Sequence, residues 1–254
     1  MKLFSRQAWR PKPGDGGAGK PQKRRRKSNT FPPDYDDSVK ATISAVRPWT
    51  MVTREGLNAL IQATAFVSRH GIEGDIVECG VWRGGSMQAV ARSLLEHGDA
   101  QRDLYLFDTF EGMPPPSEFD VRHDGSSAQD LLARDEDRQS RVWAVASLED
   151  VQDGMRGVGY PDERVHYVKG RVEDTTPGQA PERIAILRLD TDWYESTRHE
   201  LEHLYPRLVS GGVLLIDDYG HWAGSRKAVD EWLEQTGERL LLCRVGKGRV
   251  AVKP

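Results

Sequence analysis

Short apolar segments that alternate with helical patterns are the feature that most constrains the fold of this chain. Five of them have the length and composition of buried strands, at residues 75–80, 103–108, 164–169, 184–190 and 212–217. Helical patterns lie before, between and after them, at residues 53–70, 86–97, 196–208 and 225–236. This alternation predicts an α/β protein with a mostly parallel sheet and helices on both faces. Residues 239–245 and 249–252 flank a Gly-Lys-Gly turn, which predicts a C-terminal hairpin that adds an antiparallel edge.

Residues 1–34 differ in composition from the rest and predict a disordered basic arm before one domain at residues 35–254. Ten Lys/Arg residues and a single acidic one, Asp15, lie within residues 1–30, which leaves 26 basic and 38 acidic residues in the remainder. The folded part is therefore acidic, so we expect no nucleic-acid groove. A solvated tail is favoured for the arm over a contact with nucleic acid or an anionic surface.

Other sequence features limit the location and chemistry of the protein. No apolar run is long enough to span a membrane, and the N-terminus lacks a secretory pattern, so we expect a cytoplasmic protein without membrane contact. Cys79 and Cys243 lie in strand-like runs where buried thiols are usual, which disfavours a disulfide or a zinc site. Residues 111–159 contain three consecutive prolines and many charges, and so long a connection predicts a lid over a ligand site.

Acidic residues end the first two predicted strands, where open α/β sheets bind their ligands. Glu78-Cys79-Gly80 ends the first strand and Asp108 ends the second. The glycine spacing departs from the G-x-G-x-x-G dinucleotide pattern and disfavours a nicotinamide enzyme. The turn resembles the acidic-x-Gly opening of class I methyltransferases, in which Glu78 would meet the cofactor ammonium group and Asp108 the ribose hydroxyls. A generic strand-glycine-helix turn is the alternative.

Four aspartates, Asp190, Asp192, Asp217 and Asp218, follow two further strands at the same expected edge. Like charges delivered to one place repel each other, and a bound cation would relieve that repulsion. Oxygen ligands without His or Cys suit Mg²⁺, with Mn²⁺ as the second choice. The alternative is that these aspartates only cap the helices that follow them.

Four segments resemble the macrocin O-methyltransferase family, whose members methylate sugar hydroxyls on macrolides and related glycosylated natural products. They are VECGVWRGGSM at 77–87, LFDTFEGMP at 106–114, LRLDTDWYEST at 187–197 and GGVLLIDDYGHWAGSRKAVD at 211–230. The resemblance covers residues 35–252. It implies a class I methyltransferase fold with a Rossmann-like sheet, S-adenosylmethionine as methyl donor and a small-molecule glycoside as acceptor.

The resemblance also implies roles for individual residues. Its metal positions fall on Asp190, Asp217 and Asp218, and its general base on Asp192. Its cofactor positions fall on Thr53, Glu78, Gly80, Ser86, Asp108, Val172 and Glu173. His221, in the loop after the last parallel strand, is a second candidate base or substrate contact, with a plain surface position as the alternative.

The mechanism expected from these assignments begins with a metal that chelates the acceptor hydroxyl and lowers its pKa. Asp192 then removes the proton, and the oxygen attacks the sulfonium methyl in line. The same logic would serve a catechol or another aromatic diol. A non-catalytic cofactor-binding protein that docks through its basic arm is the alternative from a different class. The amphipathic helix at 53–70 is a candidate contact for a homo-oligomer.

Overall fold

The computed structural model describes residues 31–135, 137–138 and 140–254. Residues 1–30, and with them nearly all of the predicted disordered arm, therefore lie outside the described part. Residues 35–254 form one compact unit.

The elements of this unit alternate in the predicted manner. The strands are β1 (Asp75–Cys79), β2 (Leu104–Asp108), β3 (Val165–Lys169), β4 (Ile184–Leu189), β5 (Leu208–Ile216), β6 (Cys243–Val245) and β7 (Gly248–Val252). The helices are α1 (Asp37–Val46), α2 (Arg54–Arg69), α3 (Gly85–Glu96), α4 (Ala128–Ala133), α5 (Leu148–Arg156), α6 (Val172–Thr175), α7 (Tyr194–His203) and α8 (Ala223–Thr236).

The strands form one sheet in the order β3-β2-β1-β4-β5-β7-β6. Strands β1 to β5 pair in parallel, whereas β7 is antiparallel to both β5 and β6. The predicted α/β fold, with a mostly parallel sheet and an antiparallel C-terminal hairpin, is confirmed. The carboxyl ends of the five parallel strands therefore lie along one edge of the sheet.

Hydrophobic cores cover both faces of the sheet, because successive side chains of a strand point to opposite sides. Ile186 packs into the core that also holds Leu60 of α2 and Val90 of α3. Its neighbour Leu187 packs into the other core, together with Val229 of α8. The continuous apolar runs of the central strands follow from this burial on both sides.

The structure also differs from the sequence predictions. Helices α1 and α5 were not predicted. Because α5 buries Val151 and Met155 in a hydrophobic core, the C-terminal end of the 111–159 segment belongs to the folded core of the domain. The helix expected at 196–208 ends at His203 and is followed by a 3-10 turn, Tyr205–Arg207, because Pro206 cannot continue an α-helix. Cys243 is exposed rather than buried, since β6 is the outer strand of the hairpin.

Within the described residues, no helix combines the length and the apolar composition needed to cross a bilayer.

Candidate active site

A cavity of about 370 Å³ lies at the carboxyl edge of the parallel strands. Each of these strands contributes its end or the residue after it, namely Gly80, Asp108, Gly170, Asp190 and Asp217. This is the position where open α/β sheets bind ligands. The sequence-predicted residues that line it are Thr53, Gly80, Ser86, Asp108, Val172, Glu173, Asp190, Asp192, Asp217, Asp218 and His221.

Gly80 lets the ends of β1 and β4 approach each other. Its φ of 82° lies in the left-handed region, and a Cβ there would come within 2.1 Å of the Asp190 carbonyl oxygen. Glycine is therefore required by the protein's own backbone at this point. The contact of Gly80 with a cofactor stays a prediction.

Asp108 is held by the turn that follows β1. One carboxylate oxygen, Oδ2, accepts hydrogen bonds from the backbone N–H groups of Val81 and Trp82, at 2.8 and 3.0 Å. The other, Oδ1, accepts one from the N–H of Phe110 at 2.8 Å. Burial raises the pKa of Asp108, and these donors oppose the shift. The chain itself thus supplies three donors to this carboxylate, which also lines the cavity, and its contact with ribose hydroxyls stays a prediction.

Glu78 does not line the cavity and pairs with Arg188, a residue without a role predicted from the sequence. Glu78 and Arg188 are register partners on β1 and β4, so their side chains leave the sheet on the same face. Both are almost fully buried and form an ion pair. Burial raises the pKa of Glu78 to about 7, against the lowering effect of Arg188. One Glu78 oxygen, Oε2, is buried without a hydrogen-bond partner.

Arg188 also contacts the two aspartates that follow β4 and β5. Its Nη1 donates to Asp190 Oδ2 at 2.6 Å, and its Nη2 lies 2.9 Å from Asp217 Oδ1. One buried guanidinium thus joins Glu78 to two of the proposed metal ligands. The signal was present in the sequence, because an arginine inside an otherwise apolar strand is almost never buried without a partner.

Asp190, Asp217 and Asp218 form a carboxylate cluster, here called the acidic edge. One oxygen from each lies within 4.8 Å of the others. Burial raises the pKa values of Asp190 and Asp218 well above the usual range, and neighbouring carboxylates add to the shift. Arg188 supplies a single positive charge against three carboxylates and Glu78. The donor set and its excess of negative charge fit a hard divalent cation.

Capping of the following helices does not account for these aspartates. Trp193 and Trp222 are the N-cap residues of α7 and α8, and neither helix has a side-chain cap hydrogen bond. The Asp218 side chain instead accepts a hydrogen bond from the backbone N–H of Asp192 at 3.3 Å.

Asp192 is placed beside the acidic edge by an uncommon backbone conformation. Its φ of 67° is left-handed, a region that aspartate tolerates better than most residues. Burial raises its pKa to about 7, with the charge of Asp190 as the next cause. Non-glycine residues in this region concentrate at functional sites. The predicted general base therefore lines the cavity next to the predicted metal ligands.

His221 lines the same cavity, but its hydrogen bonding differs from that of a base. Lys247 Nζ lies 2.8 Å from His221 Nδ1. An ammonium group can only donate, so Nδ1 accepts and the proton of the neutral ring is on Nε2. Burial lowers the pKa of His221 to about 4, and the charges of Lys247 and Arg122 contribute. In this arrangement His221 offers a hydrogen-bond donor, which suits a substrate contact better than proton removal.

Several cavity residues were not predicted from the sequence. They are Trp82, Met113, Arg122, Arg141 and Lys247, among others. Lys247 forms the tip of the predicted hairpin, and Arg122 lies in the 111–159 segment. Lys247 contacts His221, and Arg122 contacts Trp222. No local pattern predicts either contact, because the partners are far apart in the sequence.

Comparison with known proteins places these features in a family. The family model described as "Macrocin-O-methyltransferase (TylF)" matches residues 21–246. The 8-demethyl-8-(2,3-dimethoxy-alpha-L-rhamnosyl)-tetracenomycin-C 4'-O-methyltransferase of Streptomyces olivaceus is 42% identical over 170 residues, which are 67% of this chain and 62% of that protein. The mycinamicin III 3''-O-methyltransferase of Micromonospora griseorubida is 36% identical over 189 residues, 74% of this chain and 71% of that protein.

Among solved structures, that of the O-methyltransferase NovP is similar with a TM-score of 0.70 and 31% identity, covering 81% of this chain and 82% of that one. The fold of the chain agrees with that structure. The chain spans less than two thirds of the length of the Streptomyces olivaceus relative.

Proposed function

The chain belongs to the macrocin-O-methyltransferase family, and on that premise we propose that it methylates a sugar hydroxyl of a glycosylated natural product in a metal-dependent reaction. S-adenosylmethionine is the methyl donor proposed with it. The observation that carries the proposal is the acidic edge beside a cavity at the carboxyl ends of the strands.

The residues of the cavity fit a divalent cation and S-adenosylmethionine. Asp190, Asp217 and Asp218 would hold a divalent cation, Mg²⁺ or alternatively Mn²⁺, which supplies Lewis-acid chemistry that lowers the pKa of an acceptor hydroxyl. For S-adenosylmethionine, which supplies a methyl group on a sulfonium, the apolar wall that includes Val172 and the backbone of the Gly80 turn offer a matching surface. Thr53, Ser86 and Glu173 also line the cavity.

In this proposal the chain's own groups position the acceptor and take up its proton. A carboxylate oxygen of Asp192 receives the hydroxyl proton as the new carbon–oxygen bond forms and the carbon–sulfur bond breaks. His221 donates a hydrogen bond from Nε2 to an acceptor oxygen. Positioning and exclusion of water provide most of the remaining rate enhancement, since the methyl group is already activated.

Two experiments test the proposal with labelled cofactor and a panel of glycosides. We expect Asp217→Asn, or excess chelator on the wild type, to abolish methyl transfer without loss of the folded state. Asp37→Asn, at a fully exposed site on α1, serves as the matched control and should leave turnover unchanged. Full turnover in excess chelator would refute the metal role.

The proposed base is tested separately by Asp192→Asn. We expect the single-turnover rate to fall by about 100-fold or more while cofactor affinity is preserved. A near-normal rate at every pH would assign the base to another residue. Turnover on catechols, with none on any glycoside, would show that the acceptor is an aromatic diol and not a sugar.

A further inference from the structure

Residues 120–123, which precede α4, run across the beginnings of α7 and α8 and are here called the strap. The carbonyl oxygen of Val121 accepts a hydrogen bond from the backbone N–H of Ala223, the first residue of α8, at 2.8 Å. Arg122 forms an isolated antiparallel bridge with Trp222. The strap is therefore attached to the turn that connects β5 with α8.

Asp120 fastens the strap to α7. Its side chain is almost fully buried, and Oδ1 accepts a hydrogen bond from the backbone N–H of Tyr194 at 2.8 Å. Tyr194 is the first residue of α7, and the N-cap residue Trp193 makes no side-chain cap hydrogen bond. Asp120 thus supplies, from a distant part of the chain, an acceptor that the first turn of a helix needs. Its carboxylate also suits the positive end of the helix dipole.

The second oxygen of Asp120 joins the strap to the residues before it. Ser117 donates to Oδ2 twice, from its N–H and from Oγ, both at 2.7 Å. Among the residues that the structure describes, no Lys, Arg or His nitrogen lies within 4.0 Å of this carboxylate. Burial of a carboxylate is costly unless hydrogen bonds replace its water. The three donors therefore fix Asp120 in one position.

Gly224 makes room for Asp120 on α8. It lies in the first turn of the helix, and glycine within a helix is less favourable than alanine by about 1 kcal/mol. A Cβ at this position would come within 2.0 Å of Asp120 Oδ1 and within 3.2 Å of Tyr194 Cβ. The close approach of Asp120 to the beginnings of both helices therefore explains the glycine.

The strap restrains both turns that carry the proposed ligands and base. Tyr194 follows Asp192 by two residues, so its hydrogen bond to Asp120 limits the movement of the turn that holds the proposed base. On the β5 side, the backbone N–H of Trp222 donates to the carbonyl oxygen of Asp218 at 3.0 Å, and the strap pairs with Trp222 itself.

We propose that Asp120 is a positioning residue of the methyl transfer, which acts through the backbone of Tyr194 to orient Asp192. The inference rests on the proposed function and adds to it a residue outside the cavity, since Asp120 does not line the cavity wall. Groups that orient the residues of a metal site typically contribute about 10–100-fold to activity. A misplacement of about 1 Å in a reacting group can cost about 100-fold in rate.

Residue-resolved hydrogen exchange, measured by NMR on the full chain, tests the link without any ligand. Relative to the amides of α3, we expect exchange of the Tyr194 amide to accelerate about tenfold or more in Asp120→Ala, because a charge-assisted hydrogen bond is lost. Gly224→Ala should have the same effect, since its methyl group displaces the Asp120 carboxylate. This second variant keeps the test decisive if Asp120→Ala fails to fold. Unchanged exchange at Tyr194 would overturn the proposal.

Two matched controls change similar residues that do not reach α7. Asp124→Ala removes an exposed aspartate of the same segment, whose side chain accepts the backbone N–H of Ser126. Gly157→Ala adds a methyl group whose nearest neighbour, the Gly154 carbonyl oxygen, lies at an ordinary contact distance of 3.4 Å. Both controls should leave the exchange of the Tyr194 amide and the turnover as in the wild type.

Single-turnover assays with labelled cofactor separate the inference from the proposed function. With a glycoside that the wild type methylates, we expect the rate to fall about 10–100-fold in Asp120→Ala and in Gly224→Ala. The affinity for S-adenosylhomocysteine, measured by calorimetry, should be preserved. Wild-type rates in both variants, or parallel losses of rate and affinity, would overturn the inference while the proposed function stands. A wild type that methylates no glycoside would overturn the proposed function and, with it, the role of Asp120.

Discussion

Two halves of the same sheet edge contribute carboxylates to the cavity. The hydrogen bonds and the charges around these carboxylates differ between the two halves. On the β1–β2 side, Asp108 accepts three backbone N–H hydrogen bonds and is completed within the chain. On the β4–β5 side, three aspartates lie together, and the guanidinium of Arg188, which pairs with two of them, is shared with Glu78. Asp108 has the properties of a finished structural element. The β4–β5 side holds negative charge that the described residues do not balance, which is the property expected of a cation site.

The largest expected effect comes from removing the guanidinium that joins the two halves. Arg188→Met should lower the free energy of unfolding by about 3–5 kcal/mol, because it leaves buried carboxylates without their counter-charge. Urea denaturation provides the measurement. Arg183→Met is the matched control, since its pair with Glu73 is solvent-exposed and such pairs contribute about 0–1 kcal/mol. Equal losses in the two variants would mean that Arg188 does not stabilise the acidic edge.

The β1–β2 side of the sheet edge is tested by Asp108→Asn. The amide presents an NH₂ group to donors that need an acceptor, so we expect a loss of about 1–3 kcal/mol in the free energy of unfolding. Asp124→Asn changes an exposed loop aspartate that also accepts a backbone N–H, and it should cost much less. A loss at Asp108 no larger than that at Asp124 would remove the contrast between the two halves.

Removing a carboxylate from the acidic edge should change the stability in the opposite direction. Burial raises the pKa of Asp218 above its unfolded value, so this group contributes stability at low pH that is lost as the pH rises through the folded pKa. In metal-free protein, Asp218→Asn should therefore equal the wild type near pH 4 and exceed its stability by about 0.5–2 kcal/mol at pH 8. Thermal unfolding across this pH range measures the difference. A variant that is less stable than the wild type at pH 8 would contradict the account.

The sequence allowed prediction of the parallel strands and of the acids at their ends, because both depend on local patterns. Helix α5 was missed because few apolar residues, Leu148, Val151 and Met155, mark its packed face within a charged run. The Arg188 network could have been inferred from its apolar neighbours, but its partners depend on the register of three strands. The contact between Lys247 and His221 joins two turns and has no local signature.

Direct binding of Mn²⁺, followed by electron paramagnetic resonance, tests the cation site of the acidic edge without any acceptor. The account predicts one saturable site in the wild type, displaced by Mg²⁺, and a marked loss of affinity in both Asp190→Asn and Asp217→Asn. Asp37→Asn should bind as the wild type does. Unchanged affinity in the acidic-edge variants, or no saturable binding to the wild type, would contradict the claim that these three aspartates form a cation site.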